Sequence, residues 1–230
     1  MHIPDGYLGP STSGFFYAVM VPVWLKASSS VKKTLKARQV PLLAIGAAFS
    51  FVIMMFNVPV PGGTTGHAVG GVLVAILLGP WAACIALTVS LAIQALLFGD
   101  GGILALGANC FNMAFVMPMA GYSVYRLISI RSSPTSSRRF VAAGIGAYAG
   151  INAAAFCAGV EFGLQPLLYH NPDGRALYCP YSLEVAIPAM LAGHLLVFGW
   201  VEVMVTMLVV KYLQKQDPAL LFPEGKGAAE

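Results

Sequence analysis

The apolar residues of this 230-residue chain gather into long blocks, which Pro, Gly and short runs of charge separate. Hydrophobic residues make up 58% of the chain and charged residues 10%, whereas a soluble domain carries about 25% charged residues. So few charges cannot cover the surface of a water-facing globule. Since a helix satisfies its own backbone hydrogen bonds in lipid, the pattern predicts an all-α, polytopic membrane protein.

We predict about seven spans in a single transmembrane domain over residues 1–230, with a polar segment at 1–10 and a tail at 211–230. The predicted spans are residues 11–25, 41–56, 67–78, 81–98, 103–125, 140–162 and 183–210. Most basic residues fall into the loops 26–38 and 126–139 and into the tail. Because basic loops stay in the cytoplasm, this pattern places the N-terminus outside and the C-terminus inside. It also argues against a solvated nucleic-acid-binding face.

Two of the predicted spans are short. The first covers about 15 residues and contains Pro22, and the third covers about 12 before a Gly-Pro pair, whereas a bilayer-spanning helix needs about 20. Both begin on the predicted outer side, so residues 1–10 and 57–66 are expected to dip inward. Interrupted spans commonly mark a transporter binding site. The histidines of this region are His2 and His67.

A free N-terminus followed by His is a metal chelator in its own right. The α-amine of Met1, the deprotonated amide nitrogen of His2 and Nδ1 of the His2 ring would close a five-membered and a six-membered ring around one ion. The imidazole of His67 can supply a fourth nitrogen. A planar set of four nitrogens suits Ni(II) or Cu(II), whereas Zn prefers tetrahedral sites and Mg or Ca prefer oxygen. Spacing alone leaves the alternative that His2 is incidental and His67 is only the polar end of a helix.

The remaining ionisable residues are predicted to play lesser roles. His170 lies in a polar loop, where we expect it to be exposed. His194 and Glu202 lie eight residues apart in the last span, where ionisable groups are functional candidates. We favour a structural hydrogen bond between helices over a second metal site there, because no Cys or carboxylate follows His194 at i+3 or i+4. Glu161 and Glu184 are predicted at the outer membrane interface.

Two absent motifs narrow the function. The sequence contains no G-x-x-x-x-G-K-[ST] and no H-E-x-x-H, which argues against a Walker A loop and against an intramembrane zinc protease. We predict a transport subunit with no catalytic residue and no cofactor, driven by partner proteins. The rivals are a stand-alone secondary metal transporter, which would need a polar path across the membrane, and an intramembrane enzyme, for which only His194 and Glu202 are available.

Five motifs follow one another in an order typical of one transporter family. They are MHIPDGYL at residues 1–8, PGGTTGH at 61–67, LGPWA at 78–82, QALLFGDGG at 94–102 and ALGANCFNM at 105–113. These motifs resemble the CbiM/NikM family, the cobalt- and nickel-specific substrate-binding (S) components of energy-coupling factor transporters. The chain is most similar to a stand-alone nickel-type member. Thr65 departs from the Ser that this family more often carries, at a position that is not a predicted ligand.

The resemblance implies a six-helix core with an extra N-terminal helix beside it. It implies that the Met1 amine, the His2 backbone and ring, and His67 hold the transported Ni(II) or Co(II). A cobalt-specific member for cobalamin synthesis stays an alternative. The implied partners are a transmembrane coupling (T) subunit, two ABC-type ATPases and a small accessory membrane subunit, in the plasma membrane of a prokaryote.

Four polar residues are predicted to support the metal ligands. A metal-bound imidazole usually donates its other N–H to a carboxylate or carbonyl, which fixes the orientation of the ring. In the predicted topology the residues near the outer side that can do so are Asp5, Gln94, Asp100 and Asn109.

Overall fold

A computed structural model describes residues 1–35, 37–60 and 64–221, and these ranges contain seven helices. The helices are α1 (Pro10–Thr34), α2 (Val40–Met54), α3 (Gly71–Leu78), α4 (Pro80–Phe98), α5 (residues 106–129), α6 (Ser137–Leu168) and α7 (Leu183–Gln216). The remaining short elements are the 3-10 turns Ala37–Gln39 and Pro218–Leu221 and the antiparallel strands β1 (Val58–Val60) and β2 (Thr64–Gly66).

Three of these helices, α4, α6 and α7, are long and apolar enough to cross a membrane. α7 continues to Gln216 and so includes the first residues of the predicted tail. The count of seven spans and the sides of the two termini stay predictions. Several residues used in the sequence argument lie outside the described ranges: Lys36 and Lys226 of the basic clusters and Pro61, Gly62 and Gly63 of the family motif.

The first helix is longer than the sequence suggests. α1 contains 25 residues and takes in Lys26, Lys32 and Lys33, which the charge pattern assigns to a loop. The expectation of a short first span is wrong, because the helix accommodates Pro22 in its interior and packs Ala27 into the core. Lys32 and Lys33 occupy the last turn, where positive charge interacts favourably with the helix dipole.

The helix of the third predicted span is short, as expected. α3 contains eight residues, and the non-helical residues 67–70 precede it. Gly70 and Gly79 bound the helix with φ angles of 75° and 88°, a region that favours glycine. Because residues 67–70 are all buried, the irregular backbone there is enclosed by protein, as its polar groups require.

Close helix contacts surround α3. It contacts α4, α5 and α6, and seven of its eight residues are buried. The backbones of α5 and α6 nearly touch, since a Cβ placed on Gly146 would lie 2.6 Å from the carbonyl oxygen of Gly121. Small residues permit this approach between membrane helices. The segment that carries His67 is therefore attached to an enclosed helix within the bundle.

Three helices contain a π-helical turn: Gln94–Phe98 in α4, Cys110–Val116 in α5 and His194–Phe198 in α7. Such turns break the regular register of a helix and frequently occur at functional sites. Each of the three contains one buried polar side chain, respectively Gln94, Asn112 and His194.

Candidate metal centre

Residues 1–3 insert into the protein instead of lying on its surface. Met1 and Ile3 are fully buried, and the exposed fraction of His2 is 6%. The Met1 amine donates a hydrogen bond to the carbonyl oxygen of Thr65 and lies 3.4 Å from its hydroxyl. Strand β2 therefore joins the start of the chain to the segment that leads into His67.

The rings of His2 and His67 lie against each other. Their centroids are 4.6 Å apart, and the ring planes differ by 29°. Both side chains are buried, with His67 only 1% exposed. Two residues that are 65 positions apart in the chain thus meet beside the buried amine of Met1, as the chelate hypothesis requires.

The hydrogen bonds of the two rings define which nitrogens are free. His67 Nδ1 lies 3.1 Å from the carbonyl oxygen of Ala68, and His2 Nε2 lies 3.1 Å from Oε1 of Gln94. Since these oxygens only accept, both ring nitrogens act as donors. His67 Nε2 and His2 Nδ1 then carry lone pairs. Both atoms are buried and have no hydrogen-bond partner among the described residues.

Asn109 anchors the chain directly after His2. Its Oδ1 accepts from the backbone N–H of Ile3 at 2.8 Å, and its Nδ2 donates to the Ile3 carbonyl oxygen at 3.0 Å. The N–H of Gly102 donates to the same carbonyl at 2.8 Å. Asn109 thus fixes main chain and not a ring, which is a different way of supporting the site from the one predicted.

The other three predicted supporting residues take separate places. Gln94 accepts from the His2 ring, in the manner expected of a residue that orients a ligand. The Asp100 carboxylate lies 3.6 Å from His2 Nδ1. Asp5 instead accepts from the backbone N–H groups of Ile103 and Leu104 at 3.0 and 2.9 Å, which ties the N-terminal segment to the loop before α5.

Burial changes the protonation of the N-terminal groups. It lowers the pKa of the Met1 amine to about 5, with the nearby Asp100 charge acting in the opposite direction. It also lowers the pKa of His2 to about 3, assisted by the charge of the N-terminus and opposed by the Gln94 hydrogen bond. At neutral pH both groups are therefore uncharged bases, and histidine binds metals in this neutral form.

The last helix holds the residues on both sides of His67, a role that the sequence reasoning missed. Glu202 of α7 accepts from the backbone N–H of Val69 at 2.7 Å and of Gly70 at 2.9 Å. Phe198, one turn earlier, packs so closely on Gly66 that any side chain there would overlap its ring. The only sequence signal was the ionisable Glu202 within an apolar span.

The sequence also predicted the surroundings of four other ionisable residues, which are His194, Glu161, His170 and Glu184. His194 Nδ1 lies 2.7 Å from the carbonyl oxygen of Met190 in its own helix, so the predicted bond between helices is wrong for this residue. Glu161 is buried and accepts from Nδ2 of Asn112 at 2.8 Å. Glu161 therefore faces the inside of the bundle, where α5 offers it a polar partner, and its depth in the membrane stays a prediction. The last two, His170 and Glu184, are exposed.

Side chains alone do not complete a metal site here. Within residues 1–35, 37–60 and 64–221, no three His, Cys, Asp or Glu side chains gather in positions that could hold an ion. His2 and His67 together supply two side chains, one fewer than such a group needs. A four-coordinate ion at this position would need backbone nitrogens, and the amine of Met1 and the amide of His2 are the adjacent ones in the chain.

Known proteins resemble this chain over nearly its whole length. The model of the CbiM family, described as the cobalt uptake substrate-specific transmembrane region, matches residues 2–220. The probable fused nickel transport protein LarMN of Lactiplantibacillus plantarum is 54% identical over 224 residues, which cover 96% of this chain and 67% of that protein. The fused nickel transport protein NikMN of Rhodobacter capsulatus is 52% identical over 229 residues, which cover 100% and 66%.

The chain thus spans about two thirds of the length of these fused relatives. A crystal structure of a truncated transition metal transporter is 57% identical and superposes with a TM-score of 0.88, covering 93% of this chain and 98% of that chain. The resemblance drawn from the sequence motifs is therefore confirmed, and it extends through α6 and α7. The chain belongs to the CbiM family, described as the cobalt uptake substrate-specific transmembrane region.

Proposed function

We propose that this protein is the substrate-binding membrane subunit of an ATP-driven importer that captures Ni(II) or Co(II). The ion would be held by the Met1 amine, the amide nitrogen and Nδ1 of His2, and Nε2 of His67. One observation carries the proposal: the stacked rings of His2 and His67 leave two buried ring nitrogens without partners beside the buried amine.

The donor set favours nickel. Met1 and His2 can close two fused chelate rings through adjacent nitrogens, and His67 adds a fourth nitrogen from across the site. A square-planar nitrogen field suits Ni(II), and Co(II) is less committed to that geometry. On binding, the neutral Met1 amine would offer its lone pair to the metal while an N–H still donates to the Thr65 carbonyl oxygen, and the His2 amide would release its proton to water. The second candidate, a cobalt-specific subunit for cobalamin synthesis, would use the same atoms.

The proposed importer needs other subunits. These are a transmembrane coupling subunit, two ABC-type ATPases and a small accessory membrane subunit, in the plasma membrane of a prokaryote. The N-terminus would face outward and the C-terminus the cytoplasm, so that the site loads from outside. The names of the fused nickel transport relatives support a role in metal transport. The chain itself would carry out no catalysis and need no resident cofactor.

An altered N-terminus tests the chelate. One Gly added before Met1 converts the amine into an amide and moves the new amine away from His67. Nickel affinity, measured by titration calorimetry on the purified protein, should fall by more than about 100-fold, since losing a ligand costs more than losing a supporting hydrogen bond. The same Gly added after Glu230 is the matched control and should leave affinity unchanged. Equal affinity in the two extended proteins would refute the chelate.

Reconstitution tests the energy source. Vesicles that contain this protein with the coupling subunit and ATPases should accumulate nickel only when ATP is supplied on the ATPase side. Vesicles that contain this protein alone should bind nickel without accumulating it. ATP-independent accumulation by the isolated chain would instead establish the stand-alone secondary transporter.

A further inference from the structure

The backbone around His67 needs partners that a helix does not provide. Residues 67–70 are buried and non-helical, so their N–H groups lie in apolar surroundings without the ladder of an α-helix. A buried, unpaired backbone N–H is costly. The conformation that presents His67 to His2 therefore depends on groups from elsewhere in the fold.

Glu202 supplies those partners from α7. Its side chain is fully buried. Oε2 accepts from Val69 at 2.7 Å and from Gly70 at 3.1 Å, and Oε1 accepts from Gly70 at 2.9 Å. Both carboxylate oxygens are thus committed to the two residues that follow Ala68. A carboxylate within a membrane span is expensive and is usually retained for function.

The second buried glutamate of the helices provides a contrast. Glu161 on α6 bonds the Asn112 side chain through Oε2, and its Oε1 has no partner among the described residues. It makes no hydrogen bond to residues 66–70 in that part of the chain. A buried glutamate in this bundle therefore does not necessarily contact the proposed metal site. Glu202 differs because its bonds end on backbone next to a proposed ligand.

Helix α7 contacts the His67 segment on both sides. Phe198 packs on Gly66, immediately before His67, and Glu202 binds the backbone just after it. These two contacts come from one helix about a turn apart. A displacement of α7 relative to residues 66–70 would therefore change the position of the His67 ring.

We propose that Glu202 is a positioning residue for metal binding, which holds residues 67–70 so that His67 Nε2 faces the His2 chelate. The proposal rests on the proposed function. Through Glu202, together with the packing of Phe198 on Gly66, α7 holds the backbone on both sides of His67.

The test compares two isosteric substitutions at buried glutamates. Glu202→Gln keeps the shape of the side chain but replaces one accepting oxygen with an NH₂ group that faces backbone donors. Nickel affinity should fall by about 10- to 100-fold, the usual cost of losing a group that orients a ligand. Glu161→Gln is the matched control and should bind nickel like the wild type. Wild-type affinity in Glu202→Gln, or an equal loss in both variants, would overturn the proposal.

A double-mutant cycle separates positioning from a general effect on the fold. If Glu202 acts through His67, Glu202→Gln should weaken nickel binding in the wild type and change it little in a His67→Ala background. Additive losses in the cycle would overturn the proposal. If Glu202→Gln cannot be purified folded, Glu202→Asp, which keeps the carboxylate but shortens its reach, is measured in the same cycle with the same two outcomes.

The two proposals fail in different ways. If wild-type protein binds neither nickel nor cobalt, or if His67→Ala binds the metal like the wild type, the proposed function is wrong. If His67→Ala loses binding while Glu202→Gln retains it, only the positioning role is wrong.

Discussion

His67 and His194 are two buried imidazoles with the same local chemistry. Each points Nδ1 at a backbone carbonyl oxygen, that of Ala68 at 3.1 Å and that of Met190 at 2.7 Å. Each therefore keeps a lone pair on Nε2, and in both residues this atom is buried without a hydrogen-bond partner in the described part of the chain. By tautomer and burial alone, the two would be equal candidates for a metal.

Their neighbours differ. His67 stacks on His2, with the buried Met1 amine close by. The ring of His194 packs instead against Phe198 at a centroid distance of 5.5 Å, although it lies near enough to His67 and the Met1 amine to interact with them electrostatically. A free imidazole nitrogen is therefore not a site in itself. His67 and His194 differ in how many other nitrogen atoms lie directly beside the free ring nitrogen, and nickel titrations of variants test that difference.

The largest expected effect is on nickel affinity, and it distinguishes His67 from His194. His67→Ala removes a proposed ligand and should weaken nickel binding by more than about 100-fold, beyond the usual cost of losing a supporting group. His194→Ala removes no nitrogen from the site and should keep affinity close to that of the wild type, though it leaves a cavity and lowers the melting temperature. Calorimetric titration of both variants decides the comparison. A greater loss for His194→Ala would move the site to α7.

The next effect concerns the anchor of the N-terminal segment. Asn109→Ala removes both side-chain hydrogen bonds to Ile3 and should loosen the chelate, with a loss of nickel affinity of about 10-fold or somewhat more. Asn112→Ala, three residues further along α5, removes the bond to Glu161 and is the matched control. Similar nickel affinities for the two asparagine variants would show that the Ile3 clamp is not needed.

A smaller effect is expected at Gln94. Gln94→Leu takes away the acceptor for His2 Nε2 and leaves the ring packed but less well oriented, so nickel affinity should fall by about 10-fold. Ser90→Ala, one turn earlier on α4, removes a hydroxyl that donates to the Ala47 carbonyl oxygen and should not change affinity. An unchanged affinity in Gln94→Leu would assign the ring's orientation to its stacking on His67.

The smallest expected effect is the change of the melting temperature of the metal-free protein with pH. Folding lowers the pKa of the Met1 amine from 8.0 to about 5 and that of His2 from 6.5 to about 3. At a pH between the folded-state and unfolded-state pKa of either group, the unfolded chain binds more protons than the folded protein. The free energy of unfolding therefore decreases as the pH falls. The melting temperature should therefore decrease between pH 8 and pH 5. N-terminal acetylation removes the titrating amine and should reduce that slope. A slope that acetylation leaves unchanged would contradict this assignment.

Much of the fold could be predicted because its signals are local. Apolar blocks indicate membrane helices, and the Gly-Pro pair after Leu78 indicates that the helix before it is short, which α3 confirms. The length of α1 was not predictable, since Pro22 and the lysines read as boundaries while the packing of Ala27 keeps the helix intact. Lysine favours helix formation, so the charges marked the end of an apolar block and not the end of the helix.

The proposed metal site, like the fold, has parts that the sequence predicts and parts that it does not. A Met-His start defines a possible chelate through covalent geometry alone, so Met1 and His2 could be identified from two adjacent residues. The short third span pointed to His67 and the family motifs supported it, while four polar residues were predicted to support the metal ligands. The structure assigns them different contacts: Gln94 binds a ring, Asn109 clamps Ile3 and Asp5 binds the loop before α5.

By itself, the sequence determined the class of the protein and its family and suggested a possible chelate at the start of the chain, because hydropathy, motif order and ring closure depend on neighbouring residues. Only the tertiary structure decided that His2 stacks on His67 and that Glu202 binds the backbone of Val69 and Gly70, 133 and 132 residues away. Such contacts arise when buried backbone and side-chain polar groups find partners during packing, and no local pattern specifies which partner each one finds.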